Sequence, residues 1–336
     1  RDSALMRAAA GFLVGAAVLA GAAFAQDPAP VRPRAPLTFA AEARTVNLTV
    51  TVQSEKGKFL KNLTADDFAV FEDDQVQDIA YFARVFDPSR AREAGHEAEE
   101  GAGAADPTAI DLGILFDTSQ SMTDVLRLSQ DAAVQFLESI PRARELTTAF
   151  FDSDIRFSRY NSEAQQGLFD RIQKAKAPNT SRTVLYDAMA MYLSRIGDEP
   201  GRKIMVVFTD GEDVQSQVHF DELKALLRSS TVTVYVILFK GVYSNSSAGL
   251  RANALMREVA EMTGGEVFAP KTFKDLQPIY DTLLDELAAQ YVIGYIPKGD
   301  TAPGDHRLRV EVAVPDAKVR HRRGFRVAPL DEPRRK

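Results

Sequence analysis

From residue 110 onward, hydrophobic and polar positions alternate between two textures: short uninterrupted apolar runs, and longer stretches in which apolar residues recur every three or four positions. The runs at 110–117, 146–151, 204–209, 232–239 and 266–269 predict strands buried on both faces, and a shorter run at 155–159 predicts an edge strand antiparallel to its predecessor. The periodic stretches at 124–139, 162–175, 184–196, 219–229, 252–263 and 273–289 predict amphipathic helices. Strands alternating with helices imply an α/β fold, a doubly wound, mostly parallel six-stranded sheet of the Rossmann-like kind with helices on both faces.

The flanks read differently. Residues 45–52 alternate apolar and polar positions, Lys56-Gly57-Lys58 supplies a turn, and short strands follow at 68–72 and 79–82 around the turn Asp73-Asp74. Past Gln290 the strand texture returns at 291–296, 308–314 and 325–327. Neither the segment 43–86 nor the segment 290–328 is large enough to bury its own apolar face. The expectation is that the two pair into one small all-β, sandwich-like domain in which the α/β domain, residues 109–289, is inserted. Residues 26–42, with Pro28, Pro30, Pro33 and Pro36, read as an extended linker, residues 87–108 as an acidic flexible one, and residues 329–336 as a basic tail.

Composition narrows the chemistry. With 336 residues, 45% of them hydrophobic, the chain can bury a sizeable core, and a net charge of −6 leaves no electrostatic footprint for nucleic acid. The chain has no cysteine, which excludes disulfides, thiol nucleophiles, cysteine-held zinc and a lipid-bearing cysteine. Residues 11–25, GFLVGAAVLAGAAFA, follow Arg7 and end in Ala23-Phe24-Ala25, the small-x-small pattern cut by a signal peptidase. This predicts a signal peptide over 1–25, cleaved after Ala25, and export to the periplasm or medium. The run is shorter than the roughly 20 apolar residues of a spanning helix, and Met6-Arg7 makes a better start for its charged region than Arg1.

The first predicted α/β strand delivers Asp117, Ser119 and Ser121 into the loop at its carboxyl end, and the strand 204–209 ends in Asp210-Gly211. Ligands of open α/β sheets bind outside those ends. Oxygen donors with more hydroxyls than carboxylates suit a hard divalent cation, Mg²⁺ foremost with Mn²⁺ or Ca²⁺ as alternatives, and do not suit zinc or copper. Read alone, an aspartate followed by two serines is a helix cap.

The run Asp117-x-Ser119-x-Ser121 resembles the DxSxS signature of the metal-ion-dependent adhesion site of von Willebrand factor A domains. Ser181-Arg182-Thr183-Val184-Leu185-Tyr186-Asp187-Ala188 looks like that family's threonine loop, and Phe208-Thr209-Asp210-Gly211-Glu212-Asp213 like its TDGxD strand end, all in the expected order. The resemblance implies that Ser119 and Ser121 ligate the metal directly. Thr183, Asp117 and Asp210 would do so directly or through water, and a carboxylate of a protein partner would fill the open position. The chain as a whole is similar to the VWFA-related proteins of Acidobacteria. The likeness rests on the element Asn62-Leu63-Thr64-Ala65-Asp66-Asp67-Phe68-Ala69-Val70-Phe71-Glu72-Asp73, on Tyr291-Val292-Ile293-Gly294-Tyr295, and on Val319-Arg320-His321-Arg322-Arg323-Gly324-Phe325. That group brings a fold and no established substrate.

The expected function is an exported, metal-dependent, protein-binding module for adhesion or interaction, with no catalytic residues. Two alternatives stand beside it. One is a Mg²⁺-dependent phosphoryl-transfer enzyme with Asp117 as nucleophile, although Ser119 occupies the place of the second carboxylate it needs. The other is a structural envelope scaffold. Asp187 reads as support for a helix start, Glu212 and Asp213 as solvated loop acids, and His96, His219, His306 and His321 as structural or exposed. The cluster Arg320, Arg322 and Arg323 and the tail Arg334-Arg335-Lys336 are candidates for peripheral contact with anionic envelope surfaces.

Overall fold

The computed structural model describes residues 45–85, 108–139, 143–160, 165–177, 182–196, 201–239, 246–298 and 302–327. The expected signal peptide, the proline-rich linker, nearly all of the acidic linker and the basic tail lie outside the described residues. Among those residues no helix is long and apolar enough to cross a membrane.

Four short strands come first: β1 (Val46–Gln53), β2 (Phe68–Glu72), β3 (Gln75–Gln77) and β4 (Ile79–Arg84). The α/β region then runs β5 (Ile110–Asp117), α1 (Leu126–Ser139), β6 (Glu145–Phe151), β7 (Ile155–Tyr160), α2 (Gln165–Lys174), α3 (Leu185–Leu193) and β8 (Arg202–Thr209). It continues with α4 (Phe220–Ser229), β9 (Thr233–Leu238), α5 (Ser247–Thr263), β10 (Val267–Phe268) and α6 (Leu276–Ala289). Four strands close the described chain: β11 (Tyr291–Tyr295), β12 (Gly304–Val312), β13 (Lys318–Arg320) and β14 (Gly324–Val327).

The six-stranded sheet has the order β10-β9-β8-β5-β6-β7, parallel except for the edge strand β7, as the apolar runs predict. Every residue of β5 and β8 is buried, which is what a strand covered on both faces requires. Helices α1, α2 and α6 cover one face through Phe136, Leu168, Tyr280 and Leu283. Helices α3, α4 and α5 cover the other through Leu185, Met189, Leu223, Met256 and Val259. From β5 the chain moves outward to β6, whereas from β8 it moves outward to β9 on the opposite side. The pair β5 and β8 is therefore the topological switch point, where a crevice opens above the carboxyl ends.

Two four-stranded antiparallel sheets, β13-β1-β11-β4 and β14-β12-β2-β3, flank this region. Each takes strands from both sides of the α/β region, as in the pairing of β1 with β11 and of β2 with β12. Leu48, Val50, Phe68, Val70, Ile293 and Leu308 form their shared core. The two modules are joined by two arginines, Arg322 buried and Arg320 half-buried. Arg322 donates to the carbonyls of Leu227 and Arg228 at the end of α4, and Arg320 pairs with Glu266 and with the fully buried Glu286 of α6.

Several boundaries differ from expectation. Helix α5 starts at Ser247 rather than 252 because the Ser246 hydroxyl accepts the Gly249 N–H, a cap that outweighs the lack of apolar periodicity in that turn. Residues 273–275 form a single 3-10 turn before α6, with the Asp275 carboxylate accepting the N–H groups of Lys271 and Thr272. Strand β12 starts at Gly304 rather than 308, and β3 and β13 fall in stretches without a strand signature. Arg320 and Arg322, expected as surface cations for an envelope contact, are corrected: their guanidiniums point inward onto Glu286 and the end of α4, and Arg323 pairs with Glu261.

Candidate metal centre

The carboxylate of Asp117 emerges from a strand with no exposed residue, and both of its oxygens are engaged. Oδ1 accepts the Ser119 N–H at 2.9 Å and Oδ2 accepts the Thr209 hydroxyl at 2.7 Å. The first bond folds the chain into a tight loop, and the hydroxyls of Ser119 and Ser121 meet at 3.1 Å. The second bond locks β5 to β8 one residue before Asp210. Gly211, at a φ of 84° that a side chain resists, lets the chain leave the strand sharply, its N–H donating to the Thr209 hydroxyl at 3.0 Å.

Asp210 is 3% exposed. Its Oδ1 accepts the Glu212 N–H at 3.1 Å, while Oδ2 is buried without a hydrogen-bond partner. Burial first and the charge of Asp210 second push the Asp117 carboxyl up to about 7, and burial raises Asp210 as well. Two neighbouring carboxylates out of water, one oxygen unsatisfied, make a site of negative potential that a cation relieves.

Thr183 is 2% exposed and is carried to the same rim by its backbone. Its carbonyl accepts the N–H groups of Val214 and Gln215, both at 3.0 Å, and the next N–H, of Val184, donates to the Asp152 carbonyl at 3.0 Å. The 117–122, 151–154, 182–184 and 209–216 loops are thus bound into one layer. The Ser119 and Ser121 hydroxyls meet directly, Asp117 joins them through the Ser119 N–H and is tied by Thr209 to the strand that ends at Asp210, and Thr183 joins through main-chain bonds.

Reading the sequence missed several supports. Thr209 orients Asp117. Asp152 receives the Thr118 hydroxyl at 3.0 Å and the Arg156 guanidinium at 2.6 Å; burial works against its ionisation, yet Arg156 holds the carboxyl below its ordinary value. The signal for Asp152 was available, since it is a third acid at a strand end. Asp213 is corrected from a solvated acid: it is half-buried and accepts the Tyr186 N–H and the Ser216 hydroxyl, tying the loop to the first turn of α3. Asp187 supports that junction as expected, accepting the N–H groups of Val218 and Gln217 at 2.8 and 3.0 Å. Beside the 117–122 loop opens a cleft of about 500 Å³ lined by Thr118, Phe150, Arg156, Arg171, Lys174 and Lys176.

The family description that matches residues 111–282, just over half the chain, is the von Willebrand factor type A domain. A UPF0353 protein of Nocardia farcinica is 23% identical over 232 residues, 57% of this chain and 69% of that protein. Among solved structures, a von Willebrand factor type A protein from Catenulispora acidiphila shares 11% identity at a TM-score of 0.43, with 87% of this chain and 75% of that one covered. Proximal thread matrix protein 1 from the mussel byssus, with a zinc-occupied MIDAS motif, shares 16% identity at a TM-score of 0.45 over 58% of this chain. The present chain spans about half the length of that mussel protein, 50%.

Proposed function

The chain belongs to the von Willebrand factor type A family, and from that premise we propose that it is an exported interaction module that captures an acidic group of a protein partner through a divalent cation. Asp117, Ser119, Ser121, Thr183 and Asp210 would hold the ion, with Mg²⁺ the best match to hydroxyl and carboxylate oxygens and Mn²⁺ or Ca²⁺ next. Bound there, the ion supplies a positive charge incompletely neutralised by the protein, to which a carboxylate binds strongly. The chain's own residues do the rest. Asp117 orients the serine loop through the Ser119 N–H, and Thr209 fixes Asp117. Arg156, Arg171, Lys174 and Lys176 give the adjoining cleft a basic rim that suits an acidic segment of the partner.

The observation that carries this reading is Asp210 Oδ2, a buried oxygen without a hydrogen-bond partner at the carboxyl end of β8, the strand beside β5. Leaving such an atom unsatisfied is costly, and a cation removes the cost. The test is capture from envelope extract by the full chain in Mg²⁺ and in EDTA, with Ser119→Ala as the matched control. A partner retained only in Mg²⁺, and lost in the variant, is expected; retention indifferent to EDTA overturns the reading. Turnover of a phosphate ester abolished by Asp117→Ala would move the protein to the enzyme class. Sequencing the amino terminus of the mature protein tests export, with a start at Gln26 as the expected result.

A further inference from the structure

We propose a second metal site, in the β module, in which Glu72, Asp73 and His306 bind Zn²⁺. It stands independently of the Asp117 centre. Glu72 is the last residue of β2 and Asp73 opens the turn to β3, while His306 lies on β12. Glu72 pairs in register with Leu308, which brings His306 alongside the turn. One ligand atom from each of the three residues lies within 4.8 Å of the others. His306 Nδ1 is 2.8 Å from Asp73 Oδ2 and 3.2 Å from Glu72 Oε1.

What separates this cluster from a chance gathering of acids is that the second polar atom of every member is committed elsewhere. Glu72 Oε2 accepts the Tyr295 hydroxyl at 2.8 Å. Asp73 Oδ1 accepts the Arg307 N–H at 2.8 Å. His306 Nε2 is 2.8 Å from the Ala302 carbonyl, which can only accept, so this nitrogen carries a proton and Nδ1, which faces the two carboxylates, is the one that can give up its proton to an ion. Such outer bonds are what orient the ligands of protein metal sites. Phe325 stacks on the imidazole at 5.1 Å and 19°, fixing its plane. The Glu72 and His306 side chains are only 8% and 10% exposed. A cavity of about 490 Å³ lined by Asp73, His306 and Phe325 gives access to an ion and a water.

The donor set selects the ion. Two carboxylates and one imidazole nitrogen suit zinc, whose three-ligand sites keep a water in the fourth position. The imidazole sets this site apart from the all-oxygen centre at Asp117. Ligands about 2.0–2.1 Å from a tetrahedral ion stand roughly 3.3 Å apart, so the cluster needs only a small opening to admit zinc. The competing occupant is a proton on Nδ1, making an imidazolium between two carboxylates, and zinc must displace it. Bound zinc would fasten the strands before the α/β region to those after it.

The test is a zinc titration of the full chain against a chromophoric chelator, with Mg²⁺ in excess to fill the Asp117 centre, in the unaltered protein and in His306→Gln and Glu72→Gln. One equivalent of Zn²⁺ is expected in the unaltered protein, with affinity lowered tenfold or more in each variant. Imidazole ¹⁵N NMR of the unaltered protein needs no variant: Zn²⁺ should shift His306 Nδ1 while Nε2 keeps its proton. If both ring nitrogens stay protonated in excess zinc, or if His306→Gln melts normally and binds zinc as before, the proposal is wrong.

Discussion

Replacing Asp210 by asparagine should make the metal-free protein more stable and the metal-loaded protein less so. In the unaltered site two carboxylates are buried together, and the Asp117 carboxyl is pushed from its ordinary 3.8 to about 7, by burial first and by Asp210 second. Every tenfold weakening of acidity is worth about 1.4 kcal/mol, so holding Asp117 ionised there costs on the order of 4 kcal/mol, of which Asp210 accounts for the lesser share. Removing that charge with an isosteric amide relieves about 1–2 kcal/mol, together with part of the cost of burying Asp210 itself. For a domain of this size about 1 kcal/mol moves the melting point by roughly 2–4 °C.

The direction of the Asp117 displacement fixes the conditions. A carboxyl whose value is raised on folding keeps a proton that the unfolded chain has released, so stability falls as pH rises from 3.8 to about 7 and the cost is fully present only above that. Thermal unfolding should therefore be followed by circular dichroism at about pH 8, in EDTA and in excess MgCl₂. In EDTA, Asp210→Asn should melt a few degrees above the unaltered protein. In MgCl₂ the unaltered protein should gain about 2.7 kcal/mol once the ion is at a hundred times its dissociation constant. The variant should gain far less, so the order reverses. A variant less stable in both buffers, together with an unaltered protein indifferent to Mg²⁺, Mn²⁺ and Ca²⁺, would refute the reasoning.

Three further outcomes follow from the packing. His321 Nδ1 faces the Arg322 carbonyl at 2.7 Å and Nε2 accepts the Val310 N–H at 3.1 Å, so the ring is neutral; burial chiefly, with the Arg323 charge assisting, lowers its value below 6.5. Its contribution is present above pH 6.5 and lost as pH falls through the lowered value, whereas His306, whose value is raised against the pull of burial by its acceptors, contributes in the opposite sense. Urea unfolding of His321→Gln minus that of the unaltered protein isolates the first effect and should steepen below pH 6.5. Arg320→Met strands the fully buried Glu286 and should cost about 3–5 kcal/mol, much of it recovered in Arg320→Met with Glu286→Leu, as read by urea midpoints. A Cβ on Gly265 would stand 1.9 Å from the Val234 carbonyl oxygen, so Gly265→Ala should lose about 1–3 kcal/mol or more; Gly167→Ala on α2, with nothing within 4 Å, should gain about 0.5–1 kcal/mol, both read as shifts of the urea midpoint.

How much of this was legible in the sequence depends on how far apart the interacting residues stand along the chain. The runs that became β5 and β8 carry apolar residues on both faces, and no arrangement but a covered central strand buries them, so the α/β sheet could be read directly. The Asp117 centre was nearly as open, because Asp117, Ser119 and Ser121 share one loop and Asp210 ends the neighbouring strand. Helix α5 shows where local patterning falls short: its first turn has no apolar stripe, and a single serine hydroxyl sets the start.

Across longer separations the signal disappears altogether. Nothing near Arg322 in sequence announces that its guanidinium caps α4, 94 residues away at Arg228, and a basic run consequently reads as a surface. Asp73 stands 233 residues before His306, with Glu72 beside it, and each alone is an ordinary turn or strand residue. Only the register of β2 against β12 makes them neighbours, and only the bonds on their far atoms make them a ligand set. The chain closes its β module with strands from both sides of the α/β region. A site built at that seam is therefore a consequence of topology.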